Sequence, residues 1–280
     1  MIKHLLSSLS LFLLFTNSTI AQEGVKKPEL SVAECIRIIE SFPDSIPAHE
    51  AYIKALGADS VVVEKQYITW SRKFPNSFGL HFAYGHALAE NESPKAKPWL
   101  LKAVLINPKA ADAFFDLSLD ADRWGDFKES NNYLLKARDA DPENAAYAFY
   151  YANSFSDTDK DEYRKQSLEV ANRFPKSERG AQSLYWLAFK ETDTVKKIAL
   201  YERLQKDFLS ADLRWAGYGM ENYFDLLLIA DPAKAVSISQ LMIKRSKDES
   251  GKKSWTNSLE TAQNVKDAKV QLSKRMQTKL

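Results

Sequence analysis

Four groupings of side chains in this chain have types and spacings that could do chemistry. His81 and His86 stand five residues apart. On a helix that spacing turns two imidazoles to different faces, so they do not form a metal clamp, and no HExxH or CxxC accompanies them. Packed or exposed histidines are the expectation. Asp157, Asp159 and Asp161 alternate as in a calcium loop, but that loop needs glycine at its sixth place and glutamate at its twelfth. Here those places hold Glu162 and Leu168. A helix start, where acids are favourable, explains the run better. Asp116, Asp120 and Asp122 lie close in sequence, with the first two on one helix face. Paired carboxylates do acid–base work only in a pocket that separates their pKa values. A solvated or groove-lining acidic face is the simpler expectation.

Cys35 is the single cysteine, so no internal disulfide can form, and a buried apolar role is expected. The chain has no GxSxG, no phosphate-cradling glycine loop and no GxGxxG. No nucleophile, cofactor or metal ligand is assigned, and the expectation is a protein that is not an enzyme.

The elements that would carry these residues are helices. From Phe114 to Pro142 an apolar or small residue recurs every three or four positions, broken at Trp124-Gly125-Asp126. This describes two amphipathic helices joined by a tight turn. Pro43, Pro75, Pro108, Pro142 and Pro175 lie 32, 33, 34 and 33 residues apart, and Leu209 follows after 34 more. Helix–turn–helix units at such a period mark a repeat array. The periodicity predicts a first helix capped by Ser31 and running to Ser41. Pairs follow at 47–56 with 59–73, 78–90 with 94–106, the two blocks of 111–142, 143–155 with 159–174, 178–191 with 194–208, and 211–229 with 232–246. A last helix covers 253–276.

Counted from the end of each unit, one place falls on Gly85, Ser118, Ala152, Tyr185 and Gly219. Helices cross closely only where side chains are short. The unit of Tyr185 is therefore expected to be splayed. Trp215, four places before Gly219, is expected to be buried, with truncation costing about 3–5 kcal/mol.

With 280 residues, 45% hydrophobic and a net charge of +2, the composition suits a folded core and argues against a dedicated nucleic-acid binder. Lys3 and His4 precede an apolar block from Leu5 to Phe15. Thr19-Ile20-Ala21 then places small residues before a cut at Gln22. This is the pattern of a secretory signal peptide, the block being shorter than the roughly 20 residues needed to span a membrane. A lipid-anchored cysteine would follow the cut directly, and Cys35 does not. The expected location is secreted or periplasmic. Residues 1–21 form the signal, 22–29 a polar lead, 30–250 the array and 251–280 a capping helix. Residues 233–280 hold eleven Lys or Arg against four Asp or Glu. Because these charges are dispersed, a solvated helix face is expected rather than an anionic partner.

The pattern resembles the tetratricopeptide repeat (TPR) family, in its exported bacterial form. Phe114, Leu117, Ala121, Gly125, Leu134, Ala137 and Pro142 match a whole unit; Ala96, Leu100, Ala103 and Pro108 match a second helix; Trp215, Tyr218 and Gly219 match a first helix. Phe74-Pro75-Asn76-Ser77 and Phe174-Pro175-Lys176-Ser177 resemble a junction of exported members. The resemblance implies an all-α, right-handed superhelical solenoid of about six to seven repeats, its first helices lining a concave groove. The positions it assigns to that groove are Phe82, His86, Phe115, Leu119, Arg123, Phe149, Asn153, Gln182 and Trp186. An aromatic set with a few polar groups suits a peptide segment or helix of a protein partner. It differs from the Lys/Asn-rich clamp that grips a terminal carboxylate. The resemblance also admits an accessory module of a thioredoxin-like envelope redox system, in which this CxxC-free chain would not itself react. An envelope-assembly factor is disfavoured by the missing lipid-attachment cysteine.

Overall fold

A computed structural model describes residues 30–277. The expected signal peptide and polar lead lie outside these residues. Among the described residues there are fourteen α-helices and no strand. A lone α1 (Val32–Ser41) is followed by α2 (Ile46–Leu56), α3 (Val61–Lys73), α4 (Phe78–Glu90), α5 (Ala96–Ile106), α6 (Ala111–Arg123), α7 (Phe127–Ala140), α8 (Ala145–Asn153) and α9 (Lys160–Arg173). Then come α10 (Glu178–Lys190), α11 (Thr194–Phe208), α12 (Arg214–Ala230), α13 (Pro232–Arg245) and α14 (Glu249–Gln277). Helices α2 to α13 form successive pairs, and each pair leans on the next, giving an all-α solenoid. A single pair cannot bury both apolar faces, so neighbours share one continuous core.

Local chemistry sets the boundaries. Ser31 and Glu34 form a reciprocal capping box at α1. Ser60, Ser77, Asp126, Asn144, Ser177, Asp193 and Asp231 each accept a backbone N–H at a helix start. Asp159 does the same for α9, accepting from Asp161 and Glu162, so the acidic run around it is a helix cap. Gly125 turns the chain between α6 and α7 at φ +80°, a conformation open to glycine. Asp44 ties one junction to the next: its carboxylate accepts from the Ser77 hydroxyl and the Gly79 N–H, both at 2.8 Å.

Three boundaries differ from expectation. Helix α5 begins at Ala96, so Pro94 lies in the preceding turn and Pro98 takes the third helical place. That place still belongs to the first turn, whose N–H groups have no helical acceptor. Helix α12 begins at Arg214, because Leu209–Ala211 winds into a 3-10 turn that ends at Asp212 with φ 57°. Helix α14 starts at Glu249 and packs along α13, with Trp255 against Phe224 of α12.

The small-residue register works where it is used. A Cβ on Gly85 would come within 2.9 Å of Leu100, and α4 lies close along α5. Ser118 is buried where α6 lies close along α7. Tyr52 precedes Pro75 by 23 residues, as Gly85 precedes Pro108, and its ring holds α2 away from α3 against Trp70. Tyr185 turns its ring onto Trp215 of α12, 5.1 Å away, and α10 contacts α11 less fully than α6 contacts α7. Smallness alone is not sufficient, since α8 and α9 are no closer despite Ala152. Gly219 faces α11 instead, its absent Cβ falling 2.1 Å from Leu204. Trp215 is half-buried rather than buried, because that rotation of α12 places Ala216 and Met220 in the core. Trp70 is the tryptophan that the core encloses completely.

Candidate partner-binding site

The first helices of consecutive pairs touch one another along one side of the array. Helix α4 rests on α6, α8 on α10, and α10 on α12. Rings of α6 and α8 complete the row. Helical spacing of four residues stacks Phe78, Phe82 and His86 in a column, with centroids 5.4 and 5.5 Å apart. His86 Nδ1 donates to Asp116 Oδ2 of α6 at 2.7 Å, and Nε2 lies 3.7 Å from Glu90. The bond to Asp116 raises the His86 pKa to about 9 despite the counteracting burial. Burial pushes the Asp116 pKa upward as well, against the pull of His86. Phe115 is half-buried against Tyr147 and Tyr150 of α8, at 5.4 and 5.0 Å. The Tyr147 hydroxyl donates to Asp112, and burial raises its pKa.

Leu119 and Asn153 are exposed, and Arg123 donates to the Ala89 carbonyl at 3.3 Å. Two expected groove residues are instead interior. Phe149 is buried among Ala148, Ala152 and Val170, because the Arg179 guanidinium lies over its ring at 5.1 Å. Gln182 is buried and accepts from Arg179 Nη1 at 2.6 Å. Trp186 is half-buried, with Trp215 of α12 at 5.7 Å and Phe189 at 5.6 Å. Trp215 meets Tyr218 edge-on at 5.7 Å. Phe189 is 50% exposed and Tyr218 46%, so this four-ring cluster is open to solvent. Register counting from the prolines does not reach Tyr150, Arg179, Phe189, Trp215 or Tyr218 as site residues. Aromatic pairs three apart, Trp186 with Phe189 and Trp215 with Tyr218, were the available signal.

The other candidate groupings resolve into structural roles. His81 is buried, bonds the Ser77 carbonyl through Nδ1 at 2.6 Å and lies against Trp99. Among the described residues no group of three or more His, Cys, Asp or Glu could hold a metal ion. Asp116 and Asp120 are buried rather than solvated, each with its own partner, Asp120 accepting from the Trp124 indole at 3.3 Å. Asp122 is exposed, so the three carboxylates do not converge on one site. Cys35 is fully buried, and burial pushes its thiol pKa up. Basic side chains near the C-terminus are engaged locally: Lys234 by Glu202, Lys247 by Asp212, and Lys269 by the Ile229 carbonyl.

His49 gives the array an acid-sensitive element. It is fully buried, with Nε2 on the Pro43 carbonyl and Nδ1 on the Tyr67 hydroxyl, both at 2.8 Å. A carbonyl only accepts, so Nε2 carries the proton and Nδ1 accepts from Tyr67 in the neutral ring. Burial lowers the His49 pKa. A lowered histidine contributes stability above its unfolded value of about 6.5 and loses it as pH falls. His86, raised to about 9, has the opposite sign: its contribution is complete below about 6.5 and is lost on the way to 9. Thermal melts across pH should therefore show an alkaline decline that His86→Gln flattens and an acid decline that it leaves in place. An alkaline limb unchanged in His86→Gln would contradict the pairing.

No protein-family model and no curated protein matches the chain. Among solved structures, a double mutant of MamA RS-1 is similar at 19% identity and a TM-score of 0.41, over 51% of this chain and 82% of that one. Yeast Tom70 is similar at 17% identity and a TM-score of 0.45, over 88% of this chain and 53% of that one. The solenoid assignment rests on the helix pairing described above.

Proposed function

We propose that this chain is an exported, non-catalytic scaffold that docks a protein or peptide segment on its first-helix face. The observation that carries this reading is the uncovered cluster of Trp186, Phe189, Trp215 and Tyr218, continued toward α4 by Phe115 and Phe82. Exposed aromatic groups cost solvation that a monomer has no reason to keep, and clustered rings supply most of the energy in many interfaces. The export reading rests on the Met1–Ala21 pattern, and α14 would serve as the polar end cap that a repeat array needs.

The test is a cross-linked pull-down from envelope fractions with the mature chain and with a Phe115→Ala, Trp186→Ala variant of unchanged circular dichroism. A partner held by the first and lost by the second is expected. Identical capture by both would remove the site from this face. N-terminal sequencing of the expressed protein should begin at Gln22; retention of Met1 would contradict export.

A further inference from the structure

We infer that the segment docked on this face is acidic, with a carboxylate seated on Arg179 and a bulky apolar side chain on the Trp186 ring cluster. This rests on the groove reading above and adds the chemistry of the occupant. Arginine pairing is uneven along the chain. Arg138, Arg164, Arg173, Arg203 and Arg245 each face a carboxylate within 4.0 Å. Among the described residues Arg37, Arg72, Arg123, Arg179 and Arg214 show no such partner; Arg37 and Arg72 are exposed on α1 and α3, and the other three stand on first helices. Arg123 bonds a carbonyl, and Arg214 lies over the Trp215 ring at 6.0 Å.

Arg179 is the most confined of the three. It is half-buried, its guanidinium spread over Phe149 and Tyr150 at 5.1 and 5.2 Å, and among the described residues it donates only to Gln182. A guanidinium has five N–H donors in a rigid fork that matches a carboxylate, so most of this fork is unused. The nearest acid in sequence, Glu178, is already committed to the backbone N–H groups of Arg214 and Trp215. Glu221 and Asp225 stand further along α12, toward its C-terminal end. A positive fork held on a ring platform without a counter-charge is complementary to a carboxylate supplied from outside.

The spacing defines the motif. Arg179 and Trp186 are seven residues apart on α10, about 10 Å along a helix axis at 1.5 Å per residue. An extended segment covers about 10 Å in three residues. The carboxylate and the apolar anchor should therefore be three positions apart, as acid–x–x–aromatic or acid–x–x–Leu.

Selection of a random twelve-residue peptide library on the mature chain tests this. Enriched sequences are expected to carry that spacing. They should bind Arg179→Gln about tenfold or more weakly, the scale of a charge-assisted hydrogen bond. Arg72→Gln, on a second helix, should bind them normally. Circular dichroism controls the fold of each variant. Enriched peptides lost on Trp186→Ala but without an acidic residue, or indifferent to Arg179→Gln, would overturn the charge assignment and leave the groove reading standing. Peptides indifferent to Trp186→Ala, or no enrichment at all, would overturn both. Tighter binding of a single-stranded oligonucleotide than of any enriched peptide would also overturn it, since stacked rings beside arginines can serve bases.

Discussion

Trp70→Ala should destabilise the N-terminal half of the array by about 3–5 kcal/mol, the range for truncating a fully enclosed aromatic. The Trp70 side chain has no exposed surface. It is ringed by Tyr52 at 5.1 Å, Tyr67 at 5.3 Å and His49 at 6.0 Å. Tyr67 in turn stacks on Tyr84 of the next unit at 4.1 Å. The cavity would therefore open at the place where two pairs share their core. Trp70→Phe should cost much less, under about 1.5 kcal/mol, because most of the ring volume stays. It also removes a buried indole N–H that has no hydrogen-bond partner among the described residues. Repeat arrays need not unfold in one step. The measurement is thus hydrogen exchange, with protection lost first in α1 to α4, alongside urea melts. A Trp70→Ala protein within about 1 kcal/mol of the parent would mean that this ring is not a core element.

The second expected result is a reversal of sign between two glycines in helices. Gly217→Ala should stabilise by roughly 0.5–1 kcal/mol, the usual gain when a helical glycine acquires a methyl group. Nothing lies within 4 Å of the new Cβ. Gly180→Ala, the same substitution, should destabilise by about 1–3 kcal/mol. There the Cβ would fall 2.2 Å from the Phe174 carbonyl oxygen and 3.0 Å from the Phe208 ring. A carbonyl in a helix-to-helix junction cannot rotate aside as a side chain can. Moreover, the Gly180 N–H is the donor that Ser177 caps at 2.9 Å, so moving α10 would also strain its cap. Matched thermal melts of the two variants check this. A stabilised Gly180→Ala would show that the α9–α10 junction is looser than described.

These cases show why helices were legible and the site only partly so. The break at Trp124–Asp126, the Phe-Pro endings and the serine and aspartate starts are local features. Hydrogen bonds within a few residues produce them, and a single chain displays them all. Pro94 misled because a proline is tolerated throughout a first turn, and Pro98 was equally suited to it. Phe149 and Trp186 are both assigned to the groove by the repeat register, yet one is buried and the other borders solvent. What separates them is Arg179, which lies thirty residues from Phe149 and covers it. The rotation of α12 that brings Trp215 and Tyr218 beside Trp186 depends likewise on Leu204 filling the space above Gly219.

By itself, the order of residues determined the repeat period, the helix pairs and the presence of aromatic rings on the first helices. Those follow from side-chain periodicity and capping, which act between near neighbours. The tertiary structure alone decided which rings are covered, which carboxylates are buried and which arginines lack a counter-charge. Most depend on a partner from another helix, often about one repeat away. The energy of burying or pairing a side chain belongs to both members, so neither position shows it alone.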